Sequence, residues 1–169
     1  MKIVMTDCQT ITQGDLDLSP FDALGEVVKY NLTPKDNIHE RILDADAVLC
    51  NKTVLNEENL KGTKVKYIGL FATGYNNIDT DYCKENGITV CNAGSYSTEA
   101  VAQHTFAFIL TYYNRVSEYT DFVKEGGWKK SETFSPFVFP LSELKDKTIG
   151  IVGFGKIGQE VAKIAKAFS

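Results

Sequence analysis

The 169-residue sequence predicts an α/β fold, a parallel sheet covered by helices and followed by the start of a second unit. Three observations carry this expectation. Short β-branched apolar runs alternate with short helical segments over residues 2–91, the pattern of successive βαβ units. A long stretch, residues 97–125, repeats its apolar positions at helical spacing. Residues 147–162 then pass from another β-branched run through three glycines into a helix-forming segment.

Residues 2–7 read as the first strand and end in a polar turn through Thr10, Thr12, Gly14 and Asp15. Ser19-Pro20 opens a short helical piece, with serine as cap and proline at the first helical position. Val27 to Tyr30 supplies the second strand. Thr33-Pro34 repeats the start signal, and Ile38, Ile42 and Leu43 give the next helix its apolar face. Residues 46–50 form the third strand, leading into Asn51-Lys52-Thr53. Asn56 caps a short helix that stops at Gly62. Residues 67–71 form the fourth strand, followed by the loop Ala72-Thr73-Gly74-Tyr75-Asn76-Asn77. Asp79 starts a helix that Gly87 ends, and residues 88–91 make the fifth strand. Right-handed crossovers then cover both faces of the sheet. Ligands of such sheets collect at the carboxyl ends of the strands, so loops 51–53 and 72–77 are placed to meet one. The pair Asn76-Asn77 also suits a plain helix-entry turn.

The long helix spans residues 97–125, with Gly126-Gly127 as its stop. Ala102, Phe106, Ile109, Tyr113 and Val116 share one face, and Val101, Phe108 and Tyr112 widen the stripe, which suggests burial on two sides. Residues 128–144 lack a regular pattern but carry Trp128, Phe134, Phe137, Val138 and Phe139. A loop of that length is expected to be functional, either an arm onto a second subunit or a loop folded on its own chain. The boundary between the two units is expected near residues 95–100.

The glycine run is the sharpest motif. Lys147 to Val152 reads as a buried strand, and Gly153, Gly155 and Gly158 follow with G-x-G-x-x-G spacing. The first glycine permits a tight turn, the second lets a pyrophosphate approach the backbone, and the third lets the helix pack on the strand. The helix N-terminus adds free N–H groups and partial positive charge. Ile157, Val161, Ile164 and Ala165 form the apolar face of that helix. The acidic residue that holds the ribose belongs about 20 residues beyond the glycines. The sequence ends at Ser169 before that position, and the expectation is an incomplete N-terminal portion.

Composition narrows the class. Apolar residues make up 43% of the chain, enough for a packed core, and 18 basic against 22 acidic residues leave a net charge of −4. That charge gives no footprint for nucleic acid, and no apolar run approaches the ~18 residues of a membrane span. Cys8, Cys50, Cys83 and Cys91 form no C-x-x-C and read as reduced, mostly buried thiols, which points to the cytoplasm. No spacing of Asp, His or Cys suits a metal. Lys61, Lys64 and Lys66 read as a solvated face.

Four stretches together resemble the D-isomer-specific 2-hydroxyacid dehydrogenase family, nearest to its glycerate dehydrogenase (hydroxypyruvate reductase) branch. They are Ala72-Thr73-Gly74-Tyr75-Asn76-Asn77-Ile78-Asp79, Asn92-Ala93-Gly94-Ser95-Tyr96-Ser97-Thr98-Glu99-Ala100-Val101-Ala102-Gln103, Gly126-Gly127-Trp128, and Glu143-Leu144-Lys145 running into the glycines. Gln103 stands where most of the family has an acidic residue, a departure shared by this branch. The resemblance implies a flavodoxin-like substrate domain, residues 1–98, followed at 99–169 by the beginning of a Rossmann dinucleotide-binding domain. It implies reduction of a small 2-keto acid to a D-2-hydroxy acid with NAD, NADP not being excluded, in a homodimer built through the 97–140 region. By the same resemblance the amides of Thr73 and Gly74 cradle the substrate carboxylate, and Asn51 and Lys52 line the substrate side. Thr73 and Val101 meet the cofactor, and Gly153, Gly155, Lys156, Ile157 and Gly158 surround its pyrophosphate.

The family's arginine, glutamate and histidine lie later in its sequences, and none matches a position here. Arg41 and Arg115 fall on helix-like segments. His39 lies on a polar helix face, and His104 suits a packing or interface role in the long helix. No catalytic residue is therefore expected within this chain. Two readings stay open: the front portion of a 2-keto acid reductase, or a non-catalytic binding or dimerisation module.

Overall fold

A computed structural model of the chain describes residues 1–168. Among these residues there are five strands: β1 (Lys2–Met5), β2 (Glu26–Lys29), β3 (Ala47–Cys50), β4 (Tyr67–Leu70) and β5 (Thr89–Cys91). All pairings are parallel, and the sheet order is β2-β1-β3-β4-β5. The chain winds outward from β1 to β2, then crosses back to β3 and continues the other way. The strand order therefore reverses between β1 and β3, and such a reversal opens a crevice at the carboxyl ends of those strands. This flavodoxin-like order is the one expected.

Helices α1 (Ile38–Ile42), α2 (Glu57–Leu60) and α3 (Thr80–Glu85) connect the strands. Asn56 caps α2 through a reciprocal box: its Oδ1 accepts from Asn59 N at 3.3 Å, and Asn59 Oδ1 accepts from Asn56 N at 3.1 Å. Asp79 caps α3 by accepting from Tyr82 N at 3.0 Å. Gly87 ends that helix at φ +68°, where a side chain would be strained. The Ser19-Pro20 piece is a 3₁₀ turn, Ser19–Leu24, in which Leu18 holds the cap position and Ser19 is already inside. Ile38 and Ile42 are buried, whereas Leu43, the cap residue after α1, is 45% exposed, because one residue further round the helix turns it about 100° away from Ile42.

The larger core packs Val4, Val48, Cys50 and Ile68 with Ile38, Ile42, Leu55, Leu60 and Ile78. A smaller cluster holds Ile3, Met5 and Leu49, with Leu18, Phe21 and Phe71 against it. All four residues of β3 are buried, as a central parallel strand requires.

The chain divides into two compact units, Met1–Gly94 and Ser95–Ser169. In the second, the helix expected over residues 97–125 is two: α4 (Thr98–Asn114) and α5 (Val116–Lys124). Arg115 breaks it in the left-handed region, at φ +49° and ψ +42°. One local and one long-range contact surround the break: Arg115 Nε donates to Glu118 Oε1 at 2.8 Å within the next turn, and the guanidinium lies 5.3 Å from the Phe139 ring. The apolar repeat runs through this point undisturbed, and Val116 is exposed beyond it.

Residues 128–144 have little regular structure beyond the single turn α6 (Gly127–Lys130). The loop is tied to its own chain at two places. Trp128 Nε1 donates to Phe134 O at 3.1 Å, and Tyr119 Oη donates to Phe139 O at 2.9 Å. Between those ties Phe137 is 99% exposed. Helix α7 (Lys156–Ala165) packs on α4 around Ala102, Phe106 and Val161. Val101, Phe108 and Tyr112, expected to widen the buried stripe, are exposed in this chain.

The strand expected at residues 147–152 does not form. A strand exists only through a ladder, and no strand among the described residues of this unit pairs with it. Val152 is fully exposed in consequence. The segment instead walls a cavity of about 270 Å³ with Phe106, Ile109 and Tyr113 of α4.

Candidate functional site

At the carboxyl end of β1 stands Asp7, only 3% exposed. Its Oδ1 accepts from Asn51 N at 2.9 Å, and its Oδ2 accepts from Lys52 N at 2.6 Å, Thr53 N at 2.8 Å and Thr53 Oγ1 at 3.1 Å. Thr6 Oγ1 donates to Thr53 Oγ1 at 2.8 Å, so the hydroxyl chain is satisfied from both sides. The loop after β3 is thereby wrapped around a carboxylate supplied by β1, across the switch point. The sequence assigned Asp7 to a strand end and gave it no task. An acidic residue two positions after the apolar run Ile3-Val4-Met5 was the available signal.

Among the expected substrate-side residues, Asn51 is largely engaged. Its Nδ2 donates to Thr10 O at 2.9 Å and Thr10 Oγ1 at 3.0 Å, while its main-chain N–H serves Asp7. Lys52 differs: its N–H serves Asp7, but its exposed ammonium has no hydrogen bond or ion pair among the described residues.

The loop after β4 is held by its neighbours. Thr73 Oγ1 donates to Gly94 O at 2.6 Å, Asn92 Nδ2 donates to Thr73 O at 2.7 Å, and Ala93 N donates to Ala72 O at 3.0 Å. Asn77 Nδ2 donates to Thr53 O at 2.8 Å, joining this loop to 51–53. Asn77 thus acts as a brace as well as part of a helix-entry turn. The main-chain N–H groups of Thr73 and Gly74 donate to no acceptor among the described residues. A Cβ on Gly74 would meet only Asn76 Oδ1, at 3.6 Å. Two free, adjacent donors in a braced loop are suited to a carboxylate.

In the second unit, Gly153 turns at φ +89° and α7 starts after Gly155 without a side-chain cap. A Cβ on Gly158 would collide with the Gly153 carbonyl oxygen and press Ile151 Cγ2 at 3.2 Å. Around Gly155 there is open space, so no protein atom demands glycine there. The N–H groups of Lys156 and Ile157 have no acceptor among the described residues. Open room at the middle glycine and unengaged amides fit a pyrophosphate. Val101 lies in the first turn of α4, 41% exposed.

The remaining titratable candidates are occupied. His39 Nδ1 lies 3.1 Å from Asn59 O, and the His104 ring packs edge-on to Phe108 at 4.5 Å. Arg41 donates to Leu32 O and Thr33 Oγ1 and covers the Tyr30 ring. Among the described residues no helix is long and apolar enough to cross a membrane.

Three cysteines are buried and Cys91 is exposed. Burial, with the Asp7 carboxylate adding to it, pushes the Cys50 thiol up to about 12, and burial also raises Cys8 and Cys83. A thiol so shifted carries almost no thiolate at neutral pH. Iodoacetamide is therefore expected to modify Cys91 first in the native 169-residue chain, with the other three reacting only on denaturation. Peptide mapping by mass spectrometry checks this.

Residues 3–164 match the family described as D-isomer specific 2-hydroxyacid dehydrogenase, catalytic domain. The chain belongs to that family. It is 39% identical over 171 residues to a hydroxypyruvate reductase of Blautia hydrogenotrophica, covering 99% of this chain and 53% of that protein. Among solved structures, an acyclic imino acid reductase in complex with NADPH and D-Arg superposes with a TM-score of 0.81 at 29% identity, covering 99% of this chain and 53% of the other. A D-lactate dehydrogenase from Aquifex aeolicus, complexed with NAD and lactic acid, gives 0.78 at 30% identity, covering 99% and 49%. The chain thus spans about half the length of these three proteins.

Proposed function

We propose that this chain is the substrate-holding and cofactor-entry portion of a nicotinamide-dependent reductase of small 2-keto acids, hydroxypyruvate or glyoxylate first. The observation that carries the proposal is the pair of unengaged N–H groups at Thr73 and Gly74 in a loop braced by Asn77 and Asn92. They are assigned to the substrate carboxylate, with the Lys52 ammonium adding positive charge and Asn51 lining the same side. Residues 1–98 serve as the substrate domain and 99–169 open the dinucleotide-binding domain. Gly153, Gly155, Lys156, Ile157 and Gly158 hold the pyrophosphate through free amides and open backbone. Thr73 and Val101 contact the cofactor, NAD or NADP, which when bound supplies the hydride for the keto carbon.

This chain's own task is to bind, orient and neutralise the acid. The proton for the carbonyl oxygen is not assigned to His39 or His104, whose rings are engaged elsewhere. That observation also favours a second reading, in which the 169 residues act alone only as a binding or dimerisation module. The exposed Phe108, Tyr112 and Phe137 are assigned to a homodimer interface in the cytoplasm.

The test is consumption of NADH and NADPH by protein made from the complete reading frame, with hydroxypyruvate, glyoxylate and pyruvate. Turnover with hydroxypyruvate or glyoxylate is expected. Inertness towards all three acids with both cofactors would contradict the proposal. The 169-residue chain by itself is expected to turn over none of them.

A further inference from the structure

We propose that Asp7 is a positioning residue: its buried carboxylate fixes the loop 51–53 so that Lys52 offers its ammonium, and not the loop's amides, to an anionic ligand. This rests on the assignment of that loop to the substrate carboxylate. Three consecutive N–H groups converging on one point make a natural anion nest. Here the chain fills the nest itself, because the N–H groups of Asn51, Lys52 and Thr53 all end on Asp7. An incoming carboxylate therefore finds none of those donors free. The group left over is the Lys52 ammonium, the one side-chain cation of the loop, unpaired among the described residues.

A negative group beside an anion site is unfavourable unless its charge is met. Four donors meet it, and Asp7 is almost wholly withdrawn from solvent. The fit is specific to a carboxylate. Asparagine would keep one acceptor oxygen and turn an N–H₂ group towards N–H donors, so the loop would lose its anchor. Asn77 braces the loop from the other side through Thr53 O, which limits the release to residues 51–53.

The experiment uses protein from the complete reading frame, saturated with NADH, and reads the affinity of oxamate, a carboxylate isoster of pyruvate that is not reduced. Asp7→Asn and Lys52→Ala are each expected to weaken oxamate about tenfold, and the double variant no more than either alone, since both act through one ammonium. NADH affinity should stay within twofold. Hydrogen exchange should rise at least tenfold in the peptide holding residues 51–53 and stay unchanged over β3 and β4. Unchanged oxamate affinity in Asp7→Asn, or losses that multiply in the double variant, would overturn the proposal. Should Asp7→Asn not fold, Thr53→Val replaces it in the same cycle, with a loss of roughly three- to fivefold expected. Wild-type protein that binds no oxamate would defeat the functional reading and, with it, the part given to Lys52. The exchange of residues 51–53 then decides the anchoring role of Asp7 by itself.

Discussion

Replacing Gly158 with alanine is expected to weaken dinucleotide binding by one to two powers of ten and to loosen the second unit. The new Cβ would overlap the Gly153 carbonyl oxygen, which is backbone and cannot swing away. Overpacking of this kind costs about 1–3 kcal/mol, and each ~1.4 kcal/mol is tenfold in an equilibrium. Relief of the clash opens the turn and displaces the free N–H groups of Lys156 and Ile157. Gly155→Ala separates the two effects. Its Cβ meets no protein atom and its φ of −75° suits alanine, so stability should hold. Affinity should still fall, because the methyl group occupies the room assigned to the pyrophosphate. Fluorescence titration with NADH and a melting curve read both quantities. Undiminished NADH affinity in Gly155→Ala would sink the assignment of the turn.

The second large effect concerns the sheet. Ile68 sits in β4 with no exposed surface, among Val48, Leu55 and Ile78. Ile68→Ala should cost about 2–5 kcal/mol through lost burial and the cavity left behind. Domains of this size are stable by roughly 5–15 kcal/mol, so the loss is a large share of the total. A drop on the order of 10–20 °C in the first unit's melting midpoint follows. Leu43→Ala is the control: a side chain 45% exposed at the end of α1 should shift stability by no more than ~0.5 kcal/mol. Equal effects from the two substitutions would mean that the core is misplaced.

The sheet was legible because each strand is a short β-branched run bounded by its own turn chemistry, such as Asn56 at one helix and Asp79 with Gly87 at another. Local signals of that sort survive folding. The break at Arg115 was not legible, since the apolar repeat passes through it and the Phe139 ring beside the guanidinium lies 24 residues away by the numbering. The strand expected at residues 147–152 failed for a related reason. β-branched composition describes what a sheet accepts, and among the described residues no neighbouring strand accepts it. In the site, the glycine spacing and Thr73-Gly74 could be named from sequence. Asp7 could not, because its partners lie 44–46 positions away and only the switch in strand order brings them together.

The most direct test of the central claim is the handedness of the product. Protein from the complete reading frame is given hydroxypyruvate and NADH, and the glycerate formed is resolved on a chiral phase. D-glycerate alone is the predicted result. L-glycerate or a racemate would contradict the proposal that the complete protein reduces 2-keto acids D-specifically, and no glycerate at all would contradict hydroxypyruvate as its substrate.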